Sequence, residues 1–195
     1  HAANYADRMW PLFGMLSEEA IAKRKRTMLE FGGKVAALGG DASKTQGFSF
    51  ESVPPQLLGT VDLVFMARAL HNLNRFEGSA QTRTRALQDI RALLKPDGRV
   101  GVVQHRAPES NSDEWAVGSA GYLKQSAVIA MFLENGFELV ASSEINANKN
   151  DQPSEQDSVW RLLPSLRGVE KDSAEAQKLR AIGESDRMTL LFRKK

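Results

Sequence analysis

The sequence contains no cysteine, which excludes a disulfide framework, a zinc ribbon, an iron–sulfur cluster and a thiol nucleophile. The compartment stays open, because a cysteine-free chain suits the cytoplasm and equally a bacterial periplasm. An excess of one charge is also missing. The 26 Lys+Arg against 24 Asp+Glu leave a net +2, too little to point to nucleic acid or an anionic membrane. No apolar run approaches the roughly 18–20 residues that span a bilayer as a helix. A G-x-S-x-G elbow, a P-loop and an H-x-E…P-C-x-x-C pattern are all absent, so hydrolase, kinase and deaminase readings recede. Two internal histidines without H-E-x-x-H spacing or a third clear ligand make no metal signature.

What is present describes an ordinary globular domain. The 195 residues are 42% apolar, enough for one domain that buries roughly 70% of its unfolded surface. The chain opens on His1, consistent with a removed leader, a cloning scar or a start inside a longer protein.

Helical and strand periods alternate along the chain. Ser17-Glu18-Glu19 reads as an N-cap with acidic first-turn residues, and Gly32-Gly33 as the stop of that helix. Lys34 to Leu38 then reads as a short apolar strand. Val61 to Met66 is nearly continuous β-former, the pattern of a strand covered on both faces. Thr82 to Leu94 carries Ala86, Leu87, Ile90 and Leu93 at helical spacing. Lys95-Pro96-Asp97-Gly98 reads as a helix stop and tight turn, and Arg99 to Val103 as another buried strand. Tyr122 to Glu134 is expected to be helical, Phe137 to Ser142 and Met188 to Phe192 to be strands. A polar excursion with little core (146–173) and a short helix (174–181) lie between these last two. The alternation implies an α/β fold with a mostly parallel sheet, helices on both faces and an antiparallel pair at the C-terminal edge.

Ligands of open α/β sheets bind beyond the carboxyl ends of the strands. At the first such tip, Gly39-Gly40-Asp41-Ala42-Ser43, a carboxylate beside two glycines suits a hydrogen bond from an amine such as adenine N6. The competing reading is a turn in which Asp41 bonds its own backbone. The second tip carries Arg68 and His71, the third His105 and Arg106. Two histidines at the ends of successive strands suit general-base chemistry near neutral pH. Their alternative is hydrogen bonding to loop backbone, with both arginines solvated. Trp10, Trp115 and Trp160 are candidates to line a cleft or to pack as a lid.

Several segments, in order, resemble the latter part of a class I S-adenosylmethionine-dependent methyltransferase. Lys34 to Ala42 resembles the third strand with its adenine-recognising acid. Val61 to Leu73 resembles the fourth strand with the "x-x-L-H-x-L" turn behind it. Ala86 to Val103, with Lys95-Pro96-Asp97-Gly98 at its heart, resembles the "LKPGG" helix, turn and fifth strand. Asn135-Gly136-Phe137 resembles the "AGF" entry to the sixth. A narrower similarity, to a bacterial group of methyltransferase-like proteins that often carry export signals, covers Gln104-His105-Arg106, Gly121-Tyr122-Leu123, Ser143 to Asn148 and Ile182 to Arg187. That group usually has Asp where this chain has Gln104.

The resemblance implies S-adenosylmethionine as cofactor, touching Asp41, Ala42, Met66 and Ala67. It also implies methyl transfer to an acceptor placed or deprotonated by Arg68, His71, His105 and Arg106. A small-molecule acceptor is favoured over a macromolecule, with no nucleic acid and no membrane span. In the family's sheet order, 3-2-1-4-5-7-6, the first strand, its glycine-rich loop and most of the second have no counterpart before Ser17. Ala2 to Asn4 reads as the exit of the second. One domain over 1–195, N-terminally incomplete, is the resulting expectation. The alternative is a non-catalytic module on the same sheet. A nicotinamide-dependent dehydrogenase, which needs the same glycine loop, ranks third.

Overall fold

The computed structural model describes residues 2–4, 9–14 and 16–195. In chain order the elements begin with β1 (Ala2–Asn4), α1 (Met9–Leu12), α2 (Glu18–Leu29), α3 (Phe31–Ala37) and β2 (Gly47–Ser49). The middle comprises β3 (Val61–Ala67), α4 (Leu70–Arg75), α5 (Glu77–Ala80), α6 (Thr82–Leu93), β4 (Leu94–Ala107) and β5 (Leu123–Lys124). The chain ends with α7 (Gln125–Glu134), β6 (Phe137–Ser143), α8 (Ala174–Ile182) and β7 (Arg187–Lys194). The main sheet has the order β3-β4-β7-β6, with β5 joined to the end of β4. β3 and β4 run parallel, while β7 runs antiparallel to both β4 and β6. That is the 4-5-7-6 half of the expected order, with β6 at one edge and β3 at the other. β1 and β2 form a separate parallel pair.

One face of the main sheet holds the core. Val64 and Met66 of β3 sit opposite Val100 and Val102 of β4, and Leu190 and Phe192 of β7 continue the row. Ala86, Leu87 and Ile90 of α6 and Val128 and Phe132 of α7 close over it, all at most 1% exposed. Phe132 stacks flat on Phe192 at 4.1 Å between ring centroids. The helical spacing in α6 therefore does what an amphipathic stripe should: it turns one apolar row onto the sheet. Ser17 caps α2 by accepting from the Ala20 amide at 3.2 Å, and Ser173 caps α8 in the same way.

Four expectations are corrected. Lys34 to Leu38 is not a strand; it lies in α3 and its C-cap, with Gly32 and Gly33 inside the helix. Five residues with a single β-branched side chain cannot separate a period of 2 from one of 3.6, and the alanines favour helix. The strand of this region is β2, further along. Next, Lys95 to Gly98 does not separate helix from strand as a free turn. β4 begins at Leu94, opposite Val61, and resumes at Arg99, opposite Leu63, so these four residues loop out as an irregularity within one strand. The loop is close-packed at Gly98, where a Cβ would lie 2.9 Å from the end of the Leu94 side chain and 3.0 Å from the Lys95 carbonyl oxygen. Third, α7 starts at Gln125 rather than Tyr122, since Leu123 and Lys124 pair with Arg106 and Ala107. Finally, the expected helices appear over one face of the sheet near β3. On its other face Leu63 is 58% and Phe65 66% exposed.

The excursion after β6 has more core than its composition suggests. Val159 and Leu162 are buried around a short turn of 3-10 helix at Val159–Arg161. Asp151, 2% exposed, organises it by accepting from the Tyr122 hydroxyl at 2.9 Å, Arg161 at 3.0 Å and the Asp186 amide at 3.0 Å. A buried carboxylate persists only with such partners. Burial pushes its pKa up, against these hydrogen bonds, and burial with the neighbouring Asp151 pushes the Tyr122 hydroxyl up as well.

Candidate active site

Beyond the carboxyl ends of β3 and β4 lies a cavity of about 710 Å³, inside the range of small-ligand sites, roughly 300–1,000 Å³. Ala67 and Arg68 come from the end of β3, His71 and Arg75 from α4, and His105 from β4. Trp10 and Phe13 form one aromatic wall. Trp160 and the chain to Arg167 line the cavity as well, as do Ser185 and Arg187 at the approach to and start of β7.

Arg68 turns the chain from β3 into α4 with φ at 52°, a left-handed conformation uncommon for a residue with a Cβ. Its amide still donates to the Val103 carbonyl at 2.7 Å, which holds the turn against the sheet. Beyond that turn Arg68 lines the cavity.

Gln104 fixes His71. The glutamine is fully buried, and its Nε2 donates to the carbonyls of His105 (3.2 Å) and Gly121 (2.9 Å). With both donors used, Oε1 is the acceptor, and it takes the His71 amide at 3.3 Å and His71 Nδ1 at 3.1 Å. The hydrogen of His71 is therefore on Nδ1, and Nε2 keeps its lone pair. Gly121 permits this approach with φ at 90°, where a Cβ would strike Val159 at 2.3 Å. His105 Nδ1 lies 2.6 Å from Ser185 Oγ, and the two imidazole centroids are 5.6 Å apart. Burial lowers the His71 pKa to about 4, with Arg68 and Arg75 adding to the effect. Burial likewise lowers that of His105 to about 3, reinforced by His71 and nearby arginines. Both rings are neutral at pH 7: ready acceptors of a hydrogen bond, but weak bases.

Of the residues singled out in the sequence, Arg68, His71, His105 and Ala67 meet at this cavity, joined by Trp10 and Trp160. The others do not. Arg106 points into a network instead, donating to Asp186 (2.8 and 3.0 Å), Glu144 (2.9 and 2.7 Å) and Gln125 (3.0 Å). Those carboxylates hold its pKa up, and the guanidinium ties β4 to the loops entering β7 and leaving β6. Met66 is on the core face of β3, 6% exposed. Asp41 accepts from the Ser43 amide (2.9 Å) and hydroxyl (2.6 Å), which lowers its pKa. This is the self-bonded turn, and neither Asp41 nor Ala42 lines the cavity. Trp115 stacks on Tyr122 at 5.3 Å, outside it.

Sequence reasoning missed Arg24, Arg75, Arg167 and Arg187, all of which line the cavity. Each looks like a solvated surface charge in its own segment, and no local pattern distinguishes it. Among the described residues no group of three His, Asp or Glu side chains is placed to hold a metal ion, and no helix is long and apolar enough to cross a membrane.

No protein-family model matches the chain, and no curated protein matches it. Solved structures do. The [4+2]-cyclase SpnF aligns with a TM-score of 0.52 at 15% identity over 85% of this chain and 62% of its own. The MccD protein aligns with a TM-score of 0.51 at 16% identity over 92% of this chain and 77% of its own. The chain thus spans somewhat less than two thirds of SpnF. At this identity the likeness shows the fold, and the fold is the Rossmann-like sheet of the class I methyltransferases, with an antiparallel C-terminal pair.

Proposed function

We propose that the chain is the larger part of an S-adenosylmethionine-dependent methyltransferase domain that methylates a small-molecule acceptor in the cavity beyond β3 and β4. The observation that carries this is the position of the cavity. It sits at the strand ends where this sheet architecture binds ligands, and His71, His105 and Arg68 converge there from separate elements.

The described residues fit the cofactor on one side. Ala67, exposed at the end of β3 and carrying only a methyl, leaves the strand end approachable, and β3 has no strand on its outer edge among the described residues. A glycine-rich loop and strand of the kind the resemblance implies would pair with β3 on that edge and cover Leu63 and Phe65. S-adenosylmethionine supplies, when bound, an electrophilic methyl group on a sulfonium sulfur. The work of this chain is alignment and exclusion of water: the indoles of Trp10 and Trp160 flank the acceptor, and Arg68 orients it. We assign Arg106 to holding β7 against β4 and not to the acceptor.

Calorimetric titration with S-adenosylhomocysteine tests the reading, on a sample shown to be folded by circular dichroism. A micromolar Kd is expected. No binding by the folded protein would replace the enzyme with a non-catalytic module on the same sheet.

A further inference from the structure

We infer that the acceptor is a planar oxyanion, an aromatic carboxylate or phenolate, held between Trp10 and Trp160 by the cavity's arginines. The inference rests on the methyltransferase reading above and names the substrate class of the same site.

The cavity's charge is lopsided in a chain that is nearly neutral overall. Its described lining has five arginines, Arg24, Arg68, Arg75, Arg167 and Arg187, against a single carboxylate, Glu184. Glu184 is engaged by Arg187 at 2.5 Å, and even there Arg187 Nε stays buried with no partner. Arg68, Arg75 and Arg167 have no carboxylate partner among the described residues. Such a concentration of unneutralised guanidinium groups in a concave site is an anion receptor.

The aromatic groups set the shape. Arg24 lies 5.3 Å over Trp10, Arg75 5.5 Å over Phe13 and Arg167 5.3 Å over Trp160. The charges are thus carried on flat faces, and a flat ligand slides between those faces while its oxyanion reaches the guanidinium edges.

Reactivity agrees with this. A sulfonium cation entering a site of like charge is repelled unless an anion accompanies it. An acceptor that arrives as an oxyanion supplies that charge and has no proton to lose, so the weakly basic His71 is adequate. The acceptor oxygen forms the new bond to the methyl carbon as the carbon–sulfur bond breaks, and the bonding pair passes to sulfur. A methyl ester or ether and a neutral thioether result.

The test uses quenching of tryptophan fluorescence by 2-naphthoate, with the isosteric neutral 2-naphthamide as comparison. The acid is expected to bind about tenfold or more tightly than the amide, the scale of one charge-assisted contact. Arg68→Gln and Arg167→Gln, both at exposed positions, should each abolish most of that preference. Arg180→Gln, on α8 outside the cavity, should leave it intact. Equal binding of acid and amide, no binding of either, or a preference that survives both cavity variants overturns the inference. S-adenosylhomocysteine separates the two sources of carboxylate. If it displaces naphthoate competitively, the arginines serve the cofactor's own carboxylate and the inference is wrong. If both bind together, the anion is the acceptor's. The two readings fail separately: acid-selective binding without affinity for S-adenosylhomocysteine sinks methyl transfer alone, and the converse sinks only the oxyanion.

Discussion

His71 and Gln104 show how one amide can set the chemistry of an imidazole. Gln104 Nε2 faces two carbonyls, so its oxygen faces His71 and the hydrogen of the ring is placed on Nδ1. Long-range ¹H–¹⁵N spectra are expected to show His71 with a protonated Nδ1 and a bare Nε2; the reverse tautomer would contradict the assignment. Gln104→Glu keeps the size but turns two donors into acceptors facing carbonyls. Burying that unpaired charge should cost about 3 kcal/mol or more, read as a fall in the urea midpoint, and a neutral cost would contradict the network. The histidines also give the fold a pH dependence. Their folded pKa values, about 4 and about 3, lie below the unfolded value near 6.5, so the unfolded chain binds more protons in between. Stability is fully present above about pH 6.5 and falls as pH drops toward 4, by at most about 1.4 kcal/mol per pH unit for each ring. A His71→Gln/His105→Gln pair should flatten that slope in denaturation curves taken at pH 5 and pH 7. An unchanged slope would place the titration elsewhere.

At the scale of elements, β3 is the informative strand. Its sequence reads as covered on both faces, and one face is: Met66 packs beneath α6 and α4. The other presents Leu63 and Phe65 to solvent, with the Phe65 ring lying over Gly101. Replacing both by Ser should change stability by less than about 1 kcal/mol, against about 3–5 kcal/mol for Phe132→Ala in the core. The same double variant should reduce concentration-dependent light scattering, because an exposed apolar face beside a strand edge with no partner among the described residues promotes association. A large loss of stability in Leu63→Ser/Phe65→Ser would mean that the face is already covered.

Across the whole molecule, a net charge of +2 conceals a cavity with four more arginines than carboxylates among its described residues. Binding of an anionic probe there should weaken severalfold between about 50 and 500 mM salt, as screening lengths shrink from above 10 Å to a few. A salt-independent Kd would show that the arginines are not felt.

What the sequence determined by itself is what local periodicity and spacing encode. The cap at Ser17, the stripe of α6 and the strands at 61–66 and 137–142 follow from local patterns, and the sheet order from the family resemblance those segments carry in sequence. So does the placing of His71 and His105 at strand ends, since two parallel strands end on the same side of the sheet. Tertiary structure decided the rest. Lys34 to Leu38 was too short to show its period; it is helical, and the strand paired with β1 is β2. Asp41 found its partner two residues away, whereas Arg106 found its partners in loops 38 and 80 residues distant. The arginines of the cavity come from α2, the β3 turn, α4, the excursion and β7. Charges so far apart in the chain carry no joint signal until folding brings them to one wall.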